Sequence, residues 1–113
     1  MAKIIKIPSV FVYDTKVVGV SKENEDGSSR QKFIRREVVE GDNLLLKPEE
    51  NNPYDPNAVR VFSKFGHQIG YLSRDMAEKV KPALDNGTEV QVKASCVSGD
   101  KICGVGLRIE LVS

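Results

Sequence analysis

The stretch EVQVKASCVSGDKICGVGLRIELV, residues 89–112, holds two runs in which apolar and polar side chains alternate, with Gly99 and Asp100 between them. Alternation with a period of two is the signature of a strand with one buried face. A two-residue turn at Gly99-Asp100 has glycine at the first central position, as a type II′ turn prefers. It sets Cys96 opposite Cys103, Ala94 opposite Val105, Val92 opposite Leu107 and Val90 opposite Ile109. Those pairs fall on one face, and Glu89, Gln91, Lys93 and Ser95 fall on the other. A one-residue slip would move every apolar side chain to the polar face, so the pattern predicts a hairpin over a core.

Working back along the chain, SRDMAEKVKPALDNG reads as a helix. Ser73 caps it, Met76, Val80 and Leu84 recur four residues apart, Gly87 ends it, and Pro82 is expected to kink or split it. AVRVFSKFGHQIGYL predicts a second hairpin turning at Gly66, and NLLLKPE a buried strand stopped by Pro48. SKENEDGSS, residues 21–29, reads as a flexible loop after the apolar strand KVVGV. Ser28 and Gln31 have capping-box spacing for a short helix that buries Phe33, Ile34 and Val38. Arg30, Lys32, Arg35 and Arg36 then ring its open face. Residues 1–15 are an N-terminal extension, expected as a strand packing on the domain formed by 16–113. About six short strands with two helices predict a mainly β fold, a small OB-like or SH3-like β-barrel.

The chain of 113 residues suits one domain, with 40% hydrophobic and 29% charged residues. No apolar run is long enough to span a membrane, and MAKIIKIPSVFV is broken by Lys6 and Pro8, unlike a signal peptide. The expected location is cytoplasmic. Seventeen Lys and Arg against sixteen Asp and Glu leave a net charge of +1, so any nucleic-acid contact should be local and touch few phosphates. Cys96 and Cys103 without clustered histidines do not make a zinc site, and they read as small core residues with free thiols, although their placement on the hairpin makes a disulfide conceivable. His67, the only histidine, falls in a turn with no nucleophile motif beside it. No enzyme and no cofactor are expected.

EENNPYDPNAVRVF, residues 49–62, is the candidate site. Its oxygen-rich residues Glu49, Glu50, Asn51, Asn52, Asp55 and Asn57 lack the alternating order of a calcium loop. Pro53 and Pro56 fix φ, and Asn and Asp side chains close turns onto the backbone, so the segment reads as a rigid entry to a strand. Such a turn holds the ring of Tyr54 and the carboxylate of Asp55 in fixed relation. An aromatic face and an acceptor are the parts needed to stack a base and receive a sugar hydroxyl.

NNPYDPNAVRV and GHQIGYLSRDMAEKVKPALDNG together resemble the HIRAN domain, and the VVGV of residues 17–20 fits its opening strand. The resemblance covers roughly Lys16 to Val112. It implies an OB-like β-barrel that binds DNA, in eukaryotic members by capturing the 3′ end of a single strand at stalled replication forks. Carried over by motif, Tyr54 packs on the terminal nucleotide and Asp55 accepts from the 3′-hydroxyl, with Asn52 beside them. Tyr71 follows the IG pair and Arg74 is a phosphate contact. The resemblance breaks after the first strand. Where DNA-binding eukaryotic members carry an arginine and a tyrosine, this chain has Ser21 and Lys22, then Glu23, Glu25 and Asp26. Lys22 and Arg74, with Lys47 or Lys64, are left to meet phosphate. The function implied is a non-enzymatic module for single-stranded DNA 3′ ends in repair or fork processing, with a helicase or nuclease as partner. The near-neutral charge and altered loop keep a second class open, a protein-interaction or assembly module with a degenerate DNA pocket.

Overall fold

The structure, a computed structural model, describes residues 10–112. Most of the expected N-terminal extension, residues 1–9, lies outside them. In chain order the elements are β1 (Val10–Lys16), α1 (Arg30–Glu37), β2 (Leu45–Pro48), β3 (Val59–Phe62), β4 (Gln68–Tyr71), α2 (Arg74–Asp85), β5 (Glu89–Ser98) and β6 (Gly104–Val112). None of the helices is long and apolar enough to cross a membrane.

The mainly β fold with two helices is as expected, but its six strands form two three-stranded sheets, β1-β6-β5 and β2-β3-β4, not one closed barrel. Among the described residues the two sheets are joined by the isolated bridges Val18 with Tyr71 and Asn43 with Lys93, the latter flanked by backbone bonds from residues 41–44 to β5.

The C-terminal hairpin forms with its register displaced. Val90 pairs with Leu111, Val92 with Ile109 and Ala94 with Leu107, a shift of two residues from the expected pairs. Because side chains alternate with period two, this shift keeps the same face inward. Two features cause it together: Ser98 pairs with Gly104, so residues 99–103 replace the two-residue turn and shift the register by three, and a bulge between Ala94 and Cys96 takes one residue back. On the loop side of that bulge Cys96 stands opposite Gly106, off the face that Ala94 and Val92 share. Consequently Cys96 is exposed, Cys103 is buried, and both thiols are free. A bulge is invisible to a reading that assumes strict alternation.

The core lies between the sheets and the helices. Val59, Val61 and Ile69 come from one sheet, Leu107 and Ile109 from the other, and Ile34 from α1, with Ala77 and Val80 from α2. Leu44, just before β2, is buried, but β2 itself alternates exposed and part-buried residues, so it is only half covered. In α2, Ser73 accepts from the Met76 amide as expected, yet the helix continues through Pro82 to Asp85. Proline removes a donor to Glu78 alone, and the amide of Asn86 still bonds the Pro82 carbonyl at 3.0 Å.

The first helix departs further from expectation. Its N-cap is Ser29, which accepts from the Lys32 amide, and not Ser28. Gln31 does not reach back to the cap. Its amide donates to the carbonyls of Val20 and Cys103, both at 2.9 Å, and its oxygen accepts from the Cys103 amide at 2.7 Å. It thereby pins the start of the 21–29 loop to the hairpin tip. That loop is itself knit together, with Asp26 Oδ1 taking the Ser28 amide at 2.9 Å and the Asn24 amide bonding the Ser28 carbonyl at 2.9 Å. Bonding to Ser28 holds the Asp26 carboxyl below the usual carboxylate range. His67, half exposed in its turn, stacks on Phe33 and places Nδ1 2.6 Å from Glu37. Ser63 Oγ donates to the same carboxylate and fastens the turn to α1.

Candidate functional site

The segment from Glu49 to Ala58 is closed by its own polar side chains. Asn52 Oδ1 accepts from the amides of Tyr54 at 2.8 Å and Asp55 at 2.9 Å, while Asp55 Oδ1 accepts from Asn57 at 2.9 Å. The Glu49 amide bonds the Ala58 carbonyl at 2.8 Å, and Asn51 adopts φ +61° to begin the reversal. Asn52 Nδ2 also donates to Glu49 Oε2. Two of the oxygens that suggested a cation cage, Asn52 Oδ1 and Asp55 Oδ1, thus serve the backbone, and both Glu49 oxygens serve side chains.

This clamp presents two groups. The main chain of Tyr54 is held from both sides, since Arg74 donates to its carbonyl at 2.6 Å, while the residue is 85% exposed. Asp55 spends Oδ1 on Asn57, and its Oδ2 has no donor among the described residues. A free carboxylate oxygen beside a solvent-facing ring can accept a hydroxyl while the ring stacks on a flat apolar group.

The facing wall is made by residues 17–22 running past β4. The amide and carbonyl of Val18 pair with those of Tyr71 at 2.8 and 3.0 Å. This approach requires Gly70: a Cβ there would stand 2.4 Å from the Val18 carbonyl oxygen and 2.5 Å from Val17 Cγ1. The glycine of IGYL therefore has a steric cause. Tyr71 donates its hydroxyl to Glu49 Oε1 at 2.9 Å. Burial, reinforced by the Glu49 carboxylate, pushes its phenol above the ordinary value, so the donor stays protonated in neutral solution.

Between these walls lies a pocket of about 490 Å³, lined by Lys22, Asn52, Tyr54, Asp55 and Tyr71 together with Val18, Gly19, Arg30, Ala58 and Leu72. Five of the six residues singled out from sequence line it, and Arg74 is tied to the Tyr54 main chain at its side. Lys47 and Lys64 do not, and Lys64 instead pairs with Asp42 at 3.3 Å. A larger groove of about 610 Å³ shares Val18 and Gly19 but has Lys16 as its one charged lining residue and no aromatic ring. Of these two, the smaller pocket is the one in which aromatic rings and charged groups converge.

Arg30 was not foreseen. Helical periodicity assigns it to the open face of α1, yet it is only 6% exposed. Its Nε donates to Asn24 Oδ1 at 2.7 Å, one terminal nitrogen donates to the Gly19 carbonyl at 2.9 Å, and the guanidinium lies 5.3 Å from the Tyr71 ring centre. The first residue of a helix points toward the loop that precedes it, and periodicity carries no signal for that.

A two-sheet, mainly β domain with an aromatic and charged pocket beside its IGYL strand defines the class. The chain belongs to the HIRAN domain family, whose sequence model matches residues 10–113. The HIRAN domain of human HLTF superposes with a TM-score of 0.70 at 22% identity, covering 94% of this chain and 79% of that one. The same domain in its DNA-bound conformation gives 0.65 at 20%, with the same coverage. A Lactobacillus plantarum protein gives 0.74 at 20% identity, covering 94% of this chain and 98% of its own. In sequence, 43 residues are 42% identical to the helicase-like transcription factor of Oryctolagus cuniculus and 37% to that of Homo sapiens. That match takes in 38% of this chain but only 4% of each of those much longer proteins.

Proposed function

We propose that this chain is a non-enzymatic DNA-binding module whose pocket takes the 3′ end of a single strand. The observation that carries the reading is the pairing of the exposed Tyr54 ring with the unspent Asp55 oxygen at the mouth of one pocket, in a member of the HIRAN family. The DNA-bound conformation known for the HLTF HIRAN domain supports DNA as the ligand class. On this reading the terminal base stacks on Tyr54, and Asp55 accepts the 3′-hydroxyl. Lys22 meets the strand from the 17–22 wall, and Arg74 braces Tyr54. Nothing in the pocket pairs a nucleophile with a base, so strand remodelling or repair chemistry would fall to a helicase or nuclease partner.

Fluorescence anisotropy with a short single strand tests this. A free 3′-hydroxyl should bind about tenfold or more better than a 3′-phosphate, whose charge would face Asp55, and Asp55→Ala should erase the preference. Salt dependence should be shallow, because few phosphates are touched. Equal affinity for both ends, or partners captured from lysate that survive nuclease while no oligonucleotide binds, would replace DNA-end recognition with a protein-assembly role.

A further inference from the structure

Arg30 is a charge the fold has enclosed without a counter-charge. Among the described residues none of its nitrogens lies in a salt bridge; its two protein bonds go to an amide oxygen and a backbone carbonyl. Enclosing a guanidinium is costly unless something anionic compensates it. Its second terminal nitrogen has no protein acceptor among the described residues and is not itself sealed from solvent, while the residue lines the pocket. The two bonds to Asn24 and Gly19, with the Tyr71 ring, fix the plane of the fork. The unused N–H groups therefore have a set direction and are open to an acceptor that carries charge.

We infer that Arg30 is the seat for one phosphate, that of the last internucleotide linkage of a bound strand. This rests on the end-binding reading above. With the terminal base on Tyr54 and its hydroxyl at Asp55, the nearest anion of the ligand is the phosphate on the 5′ side of that nucleoside. A planar guanidinium matches two phosphate oxygens at once, which a lysine cannot do. Lys22 is exposed and unconstrained, and supplies attraction without geometry. The chain that lacks an arginine after its first strand thus places one in the pocket from the start of α1.

The test acts on the ligand, so it does not depend on an Arg30 variant folding. Oligonucleotides carrying a single neutral methylphosphonate are compared, one at the last linkage and one at the fourth from the 3′ end. On the wild-type chain the last-linkage substitution should weaken binding about tenfold or more, the other about twofold or less. The same ratio should persist in Lys22→Ala, which removes the other cation lining the pocket, and fall toward one in Arg30→Lys. Thymidine 5′-monophosphate should displace the strand at lower concentration than thymidine or inorganic phosphate. Equal losses at the two linkages, or a ratio that disappears in Lys22→Ala, overturns the seat while leaving end binding intact. Failure of the unmodified oligonucleotide to bind overturns both.

Discussion

Replacing Gly70 by alanine probes the point where the two sheets meet and the pocket wall is fixed. The residue has φ +153°, and the added methyl would stand 2.4 Å from the Val18 carbonyl oxygen and 2.5 Å from Val17 Cγ1. Neither is the loose end of a flexible side chain: one is backbone, and the other belongs to a buried β-branched core residue. The 17–18 segment must therefore move off β4 and give up both Val18–Tyr71 backbone bonds. Two such bonds are worth about 1–3 kcal/mol together. Holding alanine in backbone reserved for glycine costs about 1–3 kcal/mol more. The expected loss is about 2–6 kcal/mol, a large share of the roughly 6–17 kcal/mol that a domain of this length commands.

The control is Gly66→Ala. That turn glycine has φ +88° but no heavy atom within 4 Å of an added Cβ, so only the left-handed backbone is penalised, by about 1–2 kcal/mol. Urea denaturation followed by far-ultraviolet circular dichroism compares the two. Gly70→Ala should lower the midpoint by about 1 M or more at an unchanged slope, and clearly further than Gly66→Ala. Val18, Gly19 and Tyr71 are pocket lining, so affinity for a single strand should fall in Gly70→Ala under conditions where it is still folded. A Gly70→Ala midpoint at or above that of Gly66→Ala would refute the steric account of the seam.

Leu107 is fully buried between the sheets, and Leu107→Ala should cost about 2–5 kcal/mol, read as a lower urea midpoint. The raised phenol of Tyr71 predicts an alkaline effect. The unfolded tyrosine ionises near 10.0 while the folded one holds its proton longer, so stability is full below that pH and is lost as pH rises through the folded value. Melting curves at increasing pH above neutrality should show this loss, and Tyr71→Phe should flatten it; an equal slope in the variant would sink the assignment. Asp26 titrates the other way. Nuclear magnetic resonance should find its carboxyl below 3.8 and returning toward that value in Ser28→Ala, with no change counting against the Ser28 bonds as the cause.

The parts of the fold legible in the sequence were those set by local periodicity. The inward faces of β5 and β6, the turn at Gly66 and the Ser73 cap all follow from residues that act on near neighbours. The misreadings came where a distant segment decides. Nothing within residues 89–112 reveals that residues 41–44 lie along β5, with the Leu44 amide on the Val92 carbonyl at 2.9 Å and the Ala94 amide on the Asp42 carbonyl at 2.9 Å. The bulge after Ala94 begins where that contact ends. Gly106 stands opposite, where an added Cβ would meet Cys96 Sγ and Ser95 Oγ, both at 2.7 Å. For Gln31 the local rule points to a cap, the usual role of a glutamine three residues after a serine. Its short bonds go instead to residues 11 and 72 positions away.

The pocket divides in the same manner. Tyr54 and Asp55 could be found because the turn that holds them is nearly self-contained; Arg30 could not, because its position needs Gly19, Asn24 and Tyr71 at once. Asn24 is the joint: it accepts from Arg30, and its own amide donates to Ser28 Oγ at 3.1 Å and the Gln68 carbonyl at 3.0 Å. A loop that looks mobile by composition is thus the device that aims the guanidinium. The resulting pocket has a guanidinium fixed before any ligand arrives and the Tyr54 ring left free in solvent, the ring proposed to stack on a base. Fixed donors lose little entropy on binding, whereas a stack on an exposed ring must first order that ring. Discrimination among ligands should therefore reside in Arg30 and Asp55, which are positioned in advance. Tyr54 should contribute affinity that varies little with the base stacked on it, since every base presents a π-face.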